Sequence, residues 1–388
     1  GCRHARLVGE HVGNPILASL LGDGILGGVG AVLTFVPQIL LMYLLLALLD
    51  AVGYMSRAAF LMDKVMSRAG LEGRAFVAML SSFACAIPGI MATRTIPSAK
   101  DRIATMLSAP LATCSARLPV YVLLVGILVP AGSSLGPVSV RGLVLFGMYL
   151  LGALSAMLAA RVVKKITDRS GTLLPFYMEM PPYRIPTPRS VGMAMWEPTK
   201  AFLRKAGTII MGATIVIWAL TTFPLRSDAE MTAAGVDPSD EVAATAYNME
   251  HSAAAKVGKA IEPVFAPQGF DWRVNISLIG SMAAREVAVS TLGQVASASD
   301  PEDDVSVSES VQKWTYTDGP HQGEKVFTPD TTIAMLIFFA FALQCVATIG
   351  ILKRESGGWK WPAIAFGYMF VLAWVGSSLA AIITRVVM

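Results

Sequence analysis

The sequence predicts an all-α polytopic membrane protein made of two inverted-topology halves, each with a re-entrant or broken helix. Three observations predict this fold: the composition, a series of long apolar stretches, and the placement of basic residues between those stretches. Of the 388 residues, 54% are hydrophobic and 15% are charged, whereas a soluble domain has about 25% charged residues. The composition excludes an ordinary soluble enzyme, and a net charge of +4 spread along the chain excludes a nucleic-acid-binding surface.

Each apolar stretch approaches the roughly 20 residues that a transmembrane helix needs. In chain order, spans A to H are residues 24–49, 75–93, 103–130, 139–160, 206–225, 273–297, 330–352 and 362–387. Their apolar residues do not alternate with polar ones, which favours helices over a membrane β-barrel. Residues 1–23 show no signal-peptide pattern, and we expect them to form an extracytoplasmic N-terminal segment.

Basic residues mark the cytoplasmic connections of a membrane protein. Residues 161–205 contain nine Lys or Arg residues and predict a cytoplasmic linker between the halves. The connections between A and B, between B and C, and after G are also basic, so we place them inside. Residues 226–272 and 298–329 are rich in Asp and Glu and predict extracytoplasmic loops.

This charge pattern prevents spans B and F from crossing the membrane. B is basic at both ends and F is flanked by acidic loops, so we expect each span to enter and leave on one side. Pro88-Gly89 interrupts B, and Arg285-Glu286 interrupts F. The two re-entrant segments enter from opposite sides, which is typical of an inverted repeat.

An internal repeat supports two halves at residues 24–160 and 206–388. Residues 65–74 (VMSRAGLEGR) align with residues 264–273 (VFAPQGFDWR) and share Val, Gly and Arg at equivalent positions. Unwound backbone at membrane depth is tolerated only where protein or a water-lined cavity satisfies it. The alternative is that Pro and Gly merely kink packed helices, but interruptions at related positions favour a transport pathway.

Three cysteines, Cys85, Cys114 and Cys345, are candidate ligands in such a pathway. Cys85 precedes the Pro88-Gly89 break, Cys114 opens a polar interruption that includes Ser115, and Cys345 lies near the symmetry-equivalent place. Sulfur ligands select soft or borderline transition metals, whereas Mg²⁺ and Ca²⁺ require clusters of oxygen ligands. The alternative for each cysteine is a small buried hydrophobic residue.

Glu286 is the strongest single candidate, because an ionisable residue inside a membrane segment is costly and usually functional. Its alternative is a structural ion pair with Arg117 or Arg285, of which Arg285 is the poorer partner, because adjacent residues face different sides of a helix. Asp50, at the end of span A, could guard the entrance or form a solvated pair with Arg57. Residues predicted to shape or gate the pathway are Asp50, Pro88, Gly89, Ser115, Arg117 and Arg285.

Catalytic motifs do not occur in the sequence. It has no Gly-x-x-x-x-Gly-Lys-Ser/Thr loop, His-Glu-x-x-His, Cys-x-x-Cys or Gly-x-Ser-x-Gly. We therefore expect this chain not to be an enzyme, and any energy coupling to lie outside it.

Several segments resemble the membrane part of the FeoB ferrous-iron transporters. The resemblance lies in Gly53-Tyr54-Met55-Ser56-Arg57, Cys85-Ala86-Ile87-Pro88-Gly89, Cys114-Ser115-Ala116-Arg117-Leu118-Pro119, Ala284-Arg285-Glu286-Val287 and Leu343-Gln344-Cys345. It implies uptake of Fe²⁺, as the transported substrate, across the bacterial inner membrane. It also implies that Cys85, Cys114 and Cys345 contact iron and that Glu286 is the acidic residue of the second gate.

The resemblance further implies partners for this chain. These are the lipid bilayer, a cytoplasmic GTP-binding domain in cis or in trans, small accessory Feo proteins and another copy of the chain. GTP and Mg²⁺ would act only through that domain, which normally precedes span A with a first membrane helix. The sequence is then either a fragment or one of two chains.

Two motifs depart from the family. Ser82-Phe83-Ala84-Cys85-Ala86 stands where the family has Gly-Phe-Gly-Cys-Asn, and Leu49-Asp50-Ala51 stands where it has Leu-Glu-Asp. A permease for another divalent metal or a nucleoside therefore stays open, as does a non-transporting docking protein that uses residues 181–198.

Overall fold

The computed structural model of the protein describes residues 17, 19–68, 70–130, 132–167, 187–224, 228–233, 247–282, 285, 287–295, 304–316 and 323–387. The first half contains α1 (Gly27–Ala51), α2 (Tyr54–Arg68), α3 (Arg74–Ala84), α4 (Ala86–Ala92), α5 (Ala99–Ser108), α6 (Leu118–Leu128) and α7 (Val140–Thr167). A π-helical turn, Leu20–Leu26, precedes α1. Two-residue strands, β1 (Ser134–Leu135) and β2 (Val138–Ser139), form an antiparallel hairpin between α6 and α7.

The second half repeats this pattern of helices. It contains α8 (Pro188–Thr222), α9 (Asp228–Ala233), α10 (Ala253–Phe265), α11 (Trp272–Ser281), α12 (Val287–Val295), α13 (Asp304–Gln312), α14 (Pro329–Phe341), α15 (Val346–Ser356) and α16 (Lys360–Val387). Short 3₁₀ turns lie at Thr93–Thr95, Ala109–Leu111, Ser115–Arg117 and Ala266–Gln268. The predicted all-α fold is confirmed.

Four segments of the described chain are long and apolar enough to cross a membrane: Ala99–Leu128, Val140–Thr167, Pro329–Ser356 and Lys360–Val387. Residues Ile39–Ala51 and Tyr54–Arg68 make a fifth if the pair, bent by 81°, is one span. The four segments match predicted spans C, D, G and H, and the bent pair overlaps predicted span A over residues 39–49. Together they confirm a polytopic membrane protein. Span C is interrupted between α5 and α6, and span G is interrupted between α14 and α15.

Span B is a helical hairpin. The chain turns at Cys85, so α4 packs back on α3 with Gly89 opposite Ala78 and Ser82. A Cβ atom built on Gly89 would lie 2.7 Å from the carbonyl oxygen of Ala78 and would overlap the Ser82 side chain. Only glycine permits this close approach, which explains Gly89 in physical terms.

Span F has the same construction, in helices α11 and α12. Ser277 Oγ donates to the carbonyl oxygen of Ala288 at 3.0 Å, and these two residues are numbered 199 higher than Ala78 and Gly89. The α2–α3 contact recurs at the same offset. A Cβ on Gly73 would lie 2.5 Å from Ala59 O, and one on Gly258 would lie 2.6 Å from Trp272 O. The internal repeat is therefore present in three-dimensional contacts as well as in sequence.

Equivalent ion pairs join the third and fourth segments of each half. Asp101 at the start of α5 pairs with Lys164 near the end of α7. Asp330 at the start of α14 accepts from Arg385 Nε at 2.6 Å, near the end of α16. Helices α6 and α14 pack together, and the start of α6 meets the end of α14, so the two run antiparallel. The two ion pairs therefore lie at opposite ends of the bundle.

Two apolar clusters meet at the helix breaks. The first contains Val120, Tyr121, Leu124, Phe338, Phe339 and Ala342, and the second contains Ala86, Ile90, Met106, Leu107, Leu111 and Leu343. Consecutive residues Ala342 and Leu343 belong to different clusters. The unwound segment that contains Ala342 and Leu343 therefore lies at the boundary between the two apolar clusters.

Three connections contain more helix than the sequence predicts. Helix α8 begins at Pro188 rather than at residue 206, within the predicted linker, of which residues 168–186 lie outside the described chain. The loop 226–272 contains α9 and α10, and the loop 298–329 contains α13 and an antiparallel bridge between Thr315 and Lys325. Val307, Val311 and Trp314 of the latter are buried in the first apolar cluster. Hydropathy identifies membrane spans, but it does not detect amphipathic helices of this kind.

Candidate functional site

All three predicted cysteine ligands lie at helix breaks. Cys85 (φ −157°, ψ 136°) directly precedes α4, and Cys345 (φ −161°, ψ 104°) directly precedes α15. Cys114 (φ −82°, ψ 160°) precedes the 3₁₀ turn that leads into α6. Each has extended backbone, so each is the last residue before a helix restarts. Cys114 is buried, whereas Cys85 and Cys345 are half-buried, and none of the three forms a disulfide with another described cysteine.

Hydrogen bonds join the breaks to one another. Ser115 Oγ donates to the carbonyl oxygen of Ala84 at 2.9 Å, which links the Cys114 break to the Cys85 break. The backbone N–H of Val346 donates to the carbonyl oxygen of Met282 at 3.1 Å, which links the Cys345 break to the end of α11. Ser115, which the sequence predicts to shape the pathway, therefore binds the backbone at the Cys85 break.

Arg117 connects the Cys114 break to the Cys345 break. Its side chain is fully buried, and its guanidinium donates to the carbonyl oxygens of Leu111 (3.3 Å), Pro110 (3.3 Å) and Ala342 (3.4 Å). Ala342 directly follows the last residue of α14, where the helix dipole is negative, so a cation is stabilised there. The sequence suggested Glu286 as a partner of Arg117, but Glu286 lies outside the described residues.

Arg285 reaches the same region from the α11–α12 connection. It is 3% exposed, and its Nη1 donates to the sulfur of Cys114 at 3.2 Å. The contact spans the two halves of the molecule. It gives Arg285 a position at the predicted pathway, and it places a positive charge beside one of the predicted ligands.

The remaining predicted residues occupy distinct places. Pro88 and Gly89 are buried in α4, three and four residues after Cys85. Asp50 is exposed near the end of α1, where the chain bends into α2, and Arg57 Nη1 donates to Gly53 O at 2.9 Å there. In the described part of the chain, no three His, Cys, Asp or Glu side chains are grouped to hold a metal. The four-residue ligand set of Cys85, Cys114, Cys345 and Glu286 stays a prediction.

Two buried carboxylates lie at equivalent positions ahead of the re-entrant hairpins. Asp271 is 2% exposed, caps α11 through the backbone N–H of Arg273, and has its pKa raised to about 6 by burial. Glu72, numbered 199 lower, precedes α3 and also has its pKa raised by burial. In the sequence, both acids lie within the repeated segments 65–74 and 264–273. The sequence signal for these acids is that each lies just before the start of an apolar helix.

Comparisons with known proteins identify two families. The Gate family model, described as nucleoside recognition, matches residues 32–128 and 203–359. The family model for the ferrous iron transport protein B C terminus matches residues 145–197. No solved structure matches the chain.

Three relatives illustrate the extent of similarity. A Fe(2+) transport protein A/Fe(2+) transporter FeoB fusion protein from Porphyromonas gingivalis is 42% identical over 377 residues, which cover 93% of this chain and 44% of that protein. The Fe(2+) transporter FeoB of Leptospira interrogans is 41% identical, with 95% and 51% covered. That of Helicobacter pylori is 35% identical, with 97% and 59% covered. The chain spans about half the length of the curated relatives it matches. On these matches, together with its helix breaks and internal repeat, the chain belongs to the FeoB family of ferrous-iron transporters and corresponds to their membrane, or gate, portion.

Proposed function

We propose that this chain forms the pathway by which Fe²⁺ enters through the bacterial inner membrane. The observation that carries the proposal is that Cys85, Cys114 and Cys345 each lie at a helix break and each have an extended backbone. Thiol ligands suit a borderline transition metal such as Fe²⁺. The names of the relatives support iron as the substrate.

The ends of the half-helices supply a second set of ligands. Carbonyl oxygens at unwound helix ends bind cations in transporters, and Ala84 and Ala342 present such carbonyls. In this conformation they accept from Ser115 and Arg117. Fe²⁺ would replace these donors at the two carbonyl oxygens as it passes. The hydrogen bonds between the helix breaks would therefore open only while an ion is bound.

Arg285 would compete with Fe²⁺ for the Cys114 sulfur. A cation and a guanidinium cannot both occupy the sulfur at 3.2 Å, so binding of iron displaces Arg285, and Glu286 would compensate the added charge. This competition keeps iron binding weak, which permeation requires because an ion must leave as well as enter.

Other components would complete the transporter. We propose that a GTP-binding domain on the cytoplasmic side, in cis or in trans, couples GTP and Mg²⁺ to opening. An accessory Feo protein is a further partner, since the Porphyromonas gingivalis relative is named as a fusion with Fe(2+) transport protein A. A second copy of the chain could complete the assembly.

The test is uptake into proteoliposomes that contain the native full-length protein. Initial rates are measured under reducing conditions for Fe²⁺, Zn²⁺, Mn²⁺ and a nucleoside. We expect saturable Fe²⁺ uptake that falls at least about tenfold when Cys85, Cys114 and Cys345 are all changed to Ser, equivalent to about 1.4 kcal/mol. Cys2→Ser is the matched control, because this cysteine lies outside the three break motifs.

Three results would count against the proposal. Wild-type Fe²⁺ rates in the triple variant would exclude the thiols as ligands. Nucleoside uptake without Fe²⁺ uptake would favour the second candidate, a nucleoside permease, which the description of the Gate family suggests. Absence of all uptake would favour a docking protein.

A further inference from the structure

Gln344 is a buried amide in the middle of an apolar span. It lies in the four-residue unwound segment 342–345 that separates α14 from α15, and it directly precedes Cys345. The residue is 3% exposed. Among the described residues, neither its Oε1 nor its Nε2 has a hydrogen-bond partner. Native proteins contain few such groups, because an unpaired buried amide destabilises the fold.

The backbone on both sides of Gln344 is held in place. Arg117 donates to Ala342 O, two residues before it. Val346 N, two residues after it, donates to Met282 O. The segment is therefore fixed by contacts to two other helix breaks, and its unpaired side chain is not the result of a loose loop.

We propose that Gln344 is a specificity-determining ligand of the transported cation, acting through its amide oxygen in the unwound segment 342–345. This inference rests on the proposed function. A ligating role explains why an amide with no partner among the described residues is buried at a helix break of an apolar span. The ligand is neutral, so it adds an interaction without adding charge, and the ion can still leave.

An oxygen ligand also changes which metal the site prefers. Sites with sulfur alone favour Zn²⁺ and Cu⁺, whereas carboxylate, carbonyl and water oxygens favour metals such as Mn²⁺. A mixed sulfur and oxygen site shifts the preference toward Fe²⁺ and Mn²⁺. Gln344 would thus separate the physiological substrate from softer competitors.

The test uses Gln344→Leu, Gln344→Met and Gln344→Glu in the native full-length protein. Because the amide has no partner in the described part of the chain, we expect Gln344→Leu to raise Tm in the absence of metal while raising the KM for Fe²⁺ about tenfold. Gln344→Met should shift the ratio of uptake rates toward Zn²⁺. Gln344→Glu, which keeps an oxygen ligand, should retain Fe²⁺ uptake.

Gln268 provides the matched control. It is also fully buried, and its Oε1 has no partner among the described residues, but its Nε2 donates to Ser378 Oγ at 2.8 Å and to Trp374 O at 3.2 Å. Gln268→Leu should therefore lower Tm, with the KM of the folded fraction unchanged. A readout other than transport is the Tm increase caused by Mn²⁺, which Gln344→Leu should lose.

The outcomes separate this inference from the proposed function. If wild-type protein carries no Fe²⁺, the proposed function fails. If wild-type protein carries Fe²⁺, and Gln344→Leu has unchanged KM, unchanged metal preference and an unchanged Mn²⁺ response, only the assignment of Gln344 is overturned.

Discussion

The Gly89→Ala variant tests whether the close contact in the α3–α4 hairpin positions Cys85. The new Cβ would lie 2.7 Å from Ala78 O, whereas ordinary contact begins near 3.4 Å, so α4 must move by about 0.7 Å. Overpacking of this kind costs about 1–3 kcal/mol, and Ala78 O cannot rotate away, because it is backbone. Cys85 lies four residues before Gly89, so the thiol should move with α4.

The matched control is Gly126→Ala in α6, where nothing lies within 4 Å of the added Cβ. Both variants gain the helix propensity of alanine, about 1 kcal/mol, so their difference isolates the steric cost. We expect Gly89→Ala to unfold at lower temperature than the control in detergent and to take up Fe²⁺ more slowly in proteoliposomes. Equal Tm values and equal uptake rates in the two variants would refute this reasoning.

Three ionic features give further predictions. Arg94 Nε donates to Glu355 Oε2 at 2.7 Å, as part of an ion pair between α15 and the turn after α4. Each single charge reversal should lower Tm, and the swap Arg94→Glu with Glu355→Arg should recover up to about 1 kcal/mol of stability. No recovery in the swap would show that the pair does not stabilise the protein. Asp101→Asn removes the carboxylate that pairs with the buried Lys164 ammonium and should cost up to about 3–5 kcal/mol. Adding Lys164→Met should recover much of this loss in the same melting assay, and no recovery would contradict the pairing. Burial raises the pKa of Asp271 from 3.8 to about 6, so its contribution to stability is lost as pH rises from about 4 through 6. Asp271→Asn should therefore raise both Tm and the free energy of unfolding at pH 7–8, the latter by up to about 3 kcal/mol, and should have no effect near pH 4. A difference between the two proteins that does not depend on pH would exclude titration of this group.

The two halves of the molecule put equivalent chemistry at opposite ends. The Asp101–Lys164 and Asp330–Arg385 pairs each join the start of a broken span to the end of the following long helix. Each also lies near a buried carboxylate, Glu72 or Asp271, that precedes a re-entrant hairpin. Asp101 and Asp330 both lie at the start of a broken span, but no local pattern in the sequence indicates their basic partners, which lie more than 50 residues further along the chain.

Composition and local chemistry by themselves determined much of this protein. Its hydrophobicity requires a membrane, the basic and acidic connections predicted re-entrant spans, and Pro88-Gly89 and the polar residues around Cys114 marked where helices break. These are local properties, because a proline, a glycine or a charge affects the helix in which it lies.

Tertiary structure alone decided which breaks meet. Arg285 contacts a sulfur 171 residues away, and Arg117 contacts a carbonyl 225 residues away. Packing also left the Gln344 amide without a described partner, although the sequence offered only a glutamine beside a cysteine. Partners at such separations depend on how helices of both halves pack, and hydrophobic packing is non-directional. No local pattern records those contacts.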